Sequence, residues 1–263
     1  MGAGMATDIA RGKPVVLSAS GLCKTFYAGA IGQQVLRSLD IDIYAGDFTV
    51  IMGSSGAGKS TLLYALSGMD RPTSGKIVFD GSDISTMTSD QLAVFRRKNC
   101  GFVFQQNYLL EDMSIMDNVL ACGLLVRGDR KRLVDDAKGM FAHFGLDEGI
   151  WSKFPAQVSG GEAQRAGIAR ALINQPKVVF ADEPTGALNS ASGKAVLDAL
   201  TAVNRDGKSI VMVTHDLASA RRGNRIIYLK DGAVCGERRL EPYDFEDKQR
   251  AETLQPFLEE MAW

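Results

Sequence analysis

Residues 48–60 read Phe48-Thr49-Val50-Ile51-Met52-Gly53-Ser54-Ser55-Gly56-Ala57-Gly58-Lys59-Ser60. The first five are nearly all apolar or β-branched, as in a strand buried on both faces. The next eight fit G-x-x-x-x-G-K-[ST], and 61–67 has the pattern of a helix. Glycines at this spacing let the backbone curl so that successive N–H groups face phosphate oxygens, and a following helix aims the positive end of its dipole at the same point. Lys59 is placed to contact β- and γ-phosphates, and the Ser60 hydroxyl to ligate Mg²⁺, a hard cation that prefers oxygen. A flexible Gly/Ser loop ahead of a helix is the plain alternative, and the preceding strand argues against it. A dinucleotide fold would need G-x-G-x-x-G and no lysine.

Outward from this loop, Val178-Val179-Phe180-Ala181 and Ile210-Val211-Met212-Val213 have the same buried-strand character, with a helical pattern at 192–203 between them. The order strand, helix, strand predicts a parallel sheet. Asp182-Glu183 emerges from the end of one such strand and is closed by Pro184-Thr185-Gly186. Strand ends of a parallel sheet gather beside the phosphate loop, so Asp182 is positioned to hold Mg²⁺ and Glu183 to polarise an attacking water. The other reading is an acidic turn in solvent. Elsewhere, 39–43 alternates with period two and 76–79 runs into Asp80-Gly81. At 225–235 the pattern is a hairpin turning at Asp231-Gly232. The stretches 114–126, 131–144 and 162–173 carry apolar residues at helical spacing and form a mostly helical region. Ahead of the last of these, Ser159-Gly160-Gly161-Glu162 makes a capping box, and its glycine N–H groups also suit an anion.

Composition sets the outer bounds. The 263 residues are 45% hydrophobic and 23% charged, which excludes overall disorder. The 30 basic and 31 acidic side chains leave a formal charge of −1, so no excess positive field exists for a polyanion, and nucleic acid is not an expected partner. Cys23, Cys100, Cys122 and Cys235 show no metal-ligand spacing and read as reduced thiols of a cytosolic protein. Residues 1–13 do not resemble a signal peptide, and the uncharged stretch 99–110 falls short of the ~20 apolar residues that cross a bilayer. Work at a membrane would then need another chain to do the spanning.

The phosphate loop, Gln105 after Gly101-Phe102-Val103-Phe104, Ser159-Gly160-Gly161-Glu162, Val178 to Glu183, Ala187-Leu188-Asn189 and His215 stand in the order found in ATP-binding-cassette ATPases. The chain resembles that family over about 15–236. The resemblance implies an α/β P-loop NTPase with a parallel-sheet core, an N-terminal antiparallel β subdomain and a helical subdomain. Its core would take about 15–105 and 175–236, its helical part 106–174, and a C-terminal tail 237–263. It also implies ATP and Mg²⁺ as cofactors and a head-to-tail dimer of two ATPase subunits. Each nucleotide would lie between the loop Gly53 to Thr61 of one subunit and Ser159-Gly160-Gly161-Glu162 of the other. By the same resemblance Lys59, Glu183, His215 and Gln105 are catalytic, and Phe26 stacks on adenine, with Tyr27 a less favoured substitute. Ser60, Gln105 and Asp182 are the Mg²⁺ set, and His143 is structural. Asn189 departs from the family's usual Asp, which weakens any carry-over of cross-dimer communication. Val158 and Ala163 are milder departures.

Gly68-Met69-Asp70-Arg71-Pro72-Thr73-Ser74-Gly75, Phe95-Arg96-Arg97 and Gly101 to Gln106 look like the macrolide-export, lipoprotein-release and peptide-resistance branch. Its members work with permeases carrying large extracytoplasmic domains. This implies a peripheral ATPase at the cytoplasmic face of the membrane whose permease handles antimicrobial peptides, lipoproteins or similar amphiphiles. Force transmission in a cell-division complex and a cytosolic non-transport role are the alternatives. A DNA-repair relative would place heptad arms or zinc modules within 61–158, where neither is present, and a ribosome-associated one would carry two cassettes. Asn107 to Leu110 and 151–158 would flank the permease groove, with Tyr108 and Trp151 either docking anchors or subdomain core. Leu254, Phe257, Leu258 and Met261 form an apolar stripe expected to pack on its own domain, with Pro256 predicting a late helix start or a break.

Overall fold

The computed structural model describes residues 12–29, 31–244 and 250–261. The chain forms two compact units, Met1–Leu92 with Ser209–Trp263, and Ala93–Lys208. In chain order come β1 (Val15–Ala28), β2 (Ile31–Tyr44), β3 (Phe48–Met52), α1 (Lys59–Leu66), β4 (Ser74–Phe79), β5 (Ser82–Asp83) and α2 (Ser89–Asn99). Next are β6 (Cys100–Val103), α3 (Ile115–Leu124), α4 (Arg130–His143), α5 (Glu148–Trp151), α6 (Gly160–Leu172), β7 (Val178–Asp182) and α7 (Ser190–Arg205). Last are β8 (Ser209–Val213), α8 (Leu217–Ala220), β9 (Arg225–Lys230), β10 (Ala233–Arg239) and α9 (Arg250–Glu260).

In the first unit, β2-β1-β4-β5 is an antiparallel sheet. The alternation at 39–43 marks only part of β2. The strand continues outward past buried Leu36 to 31–34, where residues are exposed on both faces, and β1 carries the opposite edge of the same hairpin. With neither face covered there, no period-two signal is written into the sequence. The second set of strands runs β10-β9-β3-β8. Central β3 pairs in parallel with β8 (Phe48 to Ile210, Ile51 to Val213) and with β9 (Thr49 to Arg225, Met52 to Tyr228). All five of its residues are buried, as the continuous apolar run predicts, and burying each large side chain contributes about 1.5–3 kcal/mol. The β9–β10 hairpin turns at Asp231 (φ 50°) and Gly232 (φ 80°), the positive φ pair of a tight two-residue turn.

The root of β3 is held by charge. Asp47 is buried, with the Lys13 ammonium at 2.6 Å, the Arg239 guanidinium at 3.6 Å and the Asn224 amide at 2.9 Å. Arg225 and Arg239 both lie over the Tyr44 ring, at 5.0 and 4.8 Å, and Glu237 bridges them. Burial pushes the Glu237 carboxyl up, but its hydrogen bonds and charge contacts with Arg225 and then Arg239 outweigh that and hold it below the usual carboxylate range. At the C-terminus α9 runs through Pro256 without a break. The backbone hydrogen bond that proline forfeits is offset by burial of Leu254, Phe257 and Leu258, the expected stripe. Part of that stripe meets β10, since a Cβ at Gly236 would lie 2.7 Å from Met261 Sδ and 3.2 Å from Phe257.

In the second unit β6 and β7 pair in parallel (Cys100 to Val178, Val103 to Ala181). Helices α3, α4 and α6 share a core of Ile115, Val119, Leu133, Ala137, Phe141 and Ile168, and α6 also lies on β6. Gly101 permits that approach: a Cβ there would sit 2.6 Å from the Ala171 carbonyl oxygen. The two open aromatics part company. The Trp151 indole N–H donates to the Leu146 carbonyl at 3.0 Å beside Phe141, so it belongs to the subdomain core, whereas Tyr108 is 63% exposed with its ring edge-on to Phe104. His143 lies near the surface, 3.8 Å from Asp206. All four cysteines are free, and burial pushes the Cys100 thiol up to about 12.

Candidate functional site

The loop between β3 and α1 is shaped by its glycines and by a buried lysine. Gly53 (φ 151°) faces the Leu229 carbonyl so closely that no Cβ fits. Gly58 (φ 98°) is the N-cap of α1, and a Cβ there would meet Leu36 and the Val35 carbonyl at 3.1 Å. Gly56 has φ 79° with open space around it. Only glycine adopts these conformations without strain. Lys59 is buried, and its ammonium donates to the Gly53 and Ser54 carbonyls at 2.9 Å each, clasping the loop. Ser54, Ser55 and Gly56 are exposed, Ala57 is buried, and Ser60 and Thr61 are half-buried in the first turn of α1. No side chain caps α1, and its first turn holds no acidic residue. Exposed N–H groups, a buried ammonium and an adjacent hydroxyl fit a Mg²⁺-bound polyphosphate.

The same unit carries Phe26 and His215. Phe26 lies on β1, about half exposed, with the Lys24 ammonium 4.8 Å from its ring centroid, and Tyr27 beside it is more exposed. His215 is exposed on the turn after β8. That turn is stiff: the Asp216 N–H donates to Thr214 Oγ1 at 3.0 Å, and Asp216 caps α8 by accepting from the Ser219 N–H at 2.7 Å.

In the second unit the end of β7 delivers Asp182, buried, and Glu183, half-buried, to one turn. Glu183 has φ 47°, a left-handed conformation costly for a residue with a side chain. A Gly186 N–H to Glu183 carbonyl bond of 3.0 Å closes the turn. Gln105 reaches this turn, because a Cβ at Gly186 would lie 3.0 Å from Gln105 Nε2. The structure thus brings Gln105 to Gly186 of the Glu183 turn, and Glu183 comes one residue after Asp182, which ends β7.

Ser159 caps α6 as its sequence predicts. Its Oγ accepts from the Glu162 N–H at 3.3 Å, and the Glu162 carboxylate accepts from the Ser159 N–H at 2.7 Å. Bonds from the Ser159 backbone and then its hydroxyl hold the Glu162 carboxyl below its ordinary range. The box leaves the N–H groups of Gly160 and Gly161 without an acceptor among the described residues. Both glycines are packed from behind: a Cβ would lie 3.2 Å from Leu188 at Gly160 and 2.8 Å from Ser192 at Gly161. Asn189, the departure from the family pattern, caps α7 through the Ser192 N–H at 2.9 Å, a task Asp performs equally.

Two residues of this region escape the sequence motifs. Gln164, 2% exposed, donates from its amide nitrogen to the Phe104 carbonyl at 2.6 Å and the Pro184 carbonyl at 3.0 Å. Arg170, on the same helix, donates to the Tyr108 carbonyl at 2.6 Å and to the Asn107 carbonyl. The available signal was a polar residue on the apolar stripe of α6, where Gln164 stands four residues before buried Ile168.

Comparison with known proteins follows the same lines. A family model described as ABC transporter matches residues 36–186, and the chain belongs to that family. It is an ATP-binding, ATP-hydrolysing cassette of the kind that uses Mg²⁺. Over 229 residues it is 44% identical to the macrolide export ATP-binding/permease protein MacB 1 of Aeromonas hydrophila subsp. hydrophila, covering 86% of this chain and 35% of that protein. Over 237 residues it is 38% identical to MacB of Wolinella succinogenes, covering 90% and 36%. The chain therefore spans about a third of the length of the curated relatives it matches. A dimeric post-hydrolysis structure of the ATP-binding cassette MJ0796 bound to ADP and Pi superposes with a TM-score of 0.77 at 36% identity, covering 86% of this chain and all of that one.

Proposed function

We propose that this cassette hydrolyses ATP through the residues singled out above and drives a membrane permease. The curled loop clasped by Lys59, ahead of a helix without a side-chain cap, is the observation that carries the nucleotide part. Lys59 and the N–H groups of Gly53 to Thr61 hold the phosphates, and Ser60, Asp182 and Gln105 hold Mg²⁺. When bound, Mg²⁺ neutralises charge on the β- and γ-phosphate oxygens. The Glu183 carboxylate accepts a proton from water as that water attacks the γ-phosphorus and the bond to the ADP oxygen breaks. His215 contacts the γ-phosphate, and Phe26 stacks on adenine. Ser159, Gly160, Gly161 and Glu162 meet the nucleotide of a second subunit, so turnover needs two cassettes head to tail. The N–H groups of Gly160 and Gly161, outside the capping box, support that reading.

The relatives' names join ATP-binding and permease parts, which supports a permease partner. In our reading the cassette sits at the inner face of the membrane, and that permease carries a large extracytoplasmic domain and handles antimicrobial peptides, lipoproteins or similar amphiphiles. Among the described residues no helix is long and apolar enough to cross a membrane. Exposed Tyr108, Leu110 and Phe154 supply apolar anchors for such a partner. Glu183→Gln should retain ATP, arrest hydrolysis and stabilise a dimer; normal turnover by this variant would remove Glu183 from the base role. Tagging the chain in its native cell and identifying what is solubilised with it tests the rest. A permease, whether continuous with the tagged polypeptide or a separate chain, supports the proposal, and recovery without any membrane protein opposes it.

A further inference from the structure

Helix α6 holds the loops of two of the candidate catalytic side chains, Gln105 and Glu183, and a single amide group reaches both. Gln164 has a single nitrogen with two hydrogens, and both are donated to carbonyls: Phe104, the residue before Gln105, and Pro184, the residue after Glu183. Because both partners are acceptors, the nitrogen rather than the oxygen must face them. The side chain is 2% exposed, so an unmade bond here would leave a carbonyl without water to replace it. Arg170, six residues along the helix, takes the carbonyls of Asn107 and Tyr108 on the far side of Gln105. Gln105 is therefore held from both flanks by α6, and its own side chain lies against Gly186 of the Glu183 turn.

We propose that Gln164 is a positioning residue for hydrolysis, fixing the Gln105 and Glu183 loops relative to each other and to the helix that begins at Ser159-Gly160-Gly161. The inference rests on the roles proposed above for Gln105 and Glu183. Two loops tied to one amide cannot shift independently, and a 1 Å misplacement of reacting groups costs up to about 100-fold in rate. The Gln164 amide is engaged by the Phe104 and Pro184 carbonyls, beside the residues proposed to act on water, so its loss should act on kcat and leave nucleotide binding alone.

The test compares Gln164→Met, which keeps length but has no donor, and Gln164→Glu, which keeps shape, with wild type. The readouts are ATPase kinetics, Mg²⁺ dependence, affinity for a fluorescent ATP analogue, and folding by circular dichroism. Expected is a kcat about 10–100-fold lower, an unchanged analogue affinity, and a higher Mg²⁺ concentration for half-maximal rate. In the double variant with Gln105→Ala, Gln164→Met should add little to the loss caused by Gln105→Ala alone. Wild-type kcat in either folded variant, a loss confined to KM, or full additivity with Gln105→Ala would overturn the proposal. If Gln164→Met does not fold, Gln164→Glu and its double variant decide by the same criteria. Failure of the underlying reading would look different: Glu183→Gln, with Gln164 intact, would hydrolyse ATP normally.

Discussion

The chain has two helix starts rich in glycine, Gly58 before α1 and Ser159-Gly160-Gly161 at α6, and they are built in opposite ways. The first has no side-chain cap, no acid in its first turn and a buried lysine folded back on the loop. The second is closed by a reciprocal capping box, with two glycine N–H groups outside it. A helix end without a side-chain cap leaves N–H groups for an anion to fill, which supports the proposed reading of the α1 loop as the nucleotide site. A helix end that caps itself stands without a ligand and can meet one only through what the cap leaves over. That contrast suits a loop that grips nucleotide in the lone subunit and a segment that touches it only when a second subunit arrives.

The largest test of the contrast is Lys59→Ala, which should abolish ATP hydrolysis and, with it, the gain in melting temperature on adding ATP and Mg²⁺. Retained activity would mean that the α1 loop is not the site. Next, Gly161→Ala sets a methyl 2.8 Å from Ser192 beside the spare N–H groups. Hydrolysis by the dimer should fall at least tenfold, while monomer affinity for ATP stays near wild type; weakened monomer binding would erase the distinction between the two helix ends. Ser159→Ala should cost about 1 kcal/mol in urea unfolding through the lost cap, whereas no equivalent loss is available at α1. The smallest effect is a pH dependence. The Glu162 carboxyl lies below its ordinary value in the folded chain, so its contribution is full above the unfolded value of about 4.3 and is lost as pH falls through the lower folded value. Melting-temperature differences between wild type and Glu162→Gln should thus be constant from pH 7 to 5 and vanish in stronger acid. A difference that grew on acidification would contradict the capping box.

Some of this was legible in the residues alone and some was not, for identifiable reasons. The G-x-x-x-x-G-K-S run, the buried strands β3, β7 and β8, the β9–β10 turn and the Ser159 cap are local: neighbouring side chains and backbone preferences decide them, and each appears where its pattern places it. The outer ends of β1 and β2, 26–28 and 31–34, left no alternation because neither face is covered, and α9 continues through Pro256 because burial outweighs one lost hydrogen bond. The different settings of Tyr108, exposed, and Trp151, in the subdomain core, depended on which aromatic neighbour and carbonyl each could reach.

By itself, then, the sequence determined the local pieces of the proposed chemistry: a glycine loop with its lysine and hydroxyl, a paired carboxylate at a strand end, and a glycine-led helix. These are short-range facts, written within a few residues of chain. Tertiary structure decided what holds that chemistry in place. Gln164 lies 60 positions from Phe104 and 20 from Pro184, and no pattern in one segment can specify a donor whose partners are elsewhere. Only packing α6 beside both loops in a water-excluded interior turns an unremarked glutamine into their common support, because there an unmade hydrogen bond has no solvent to replace it.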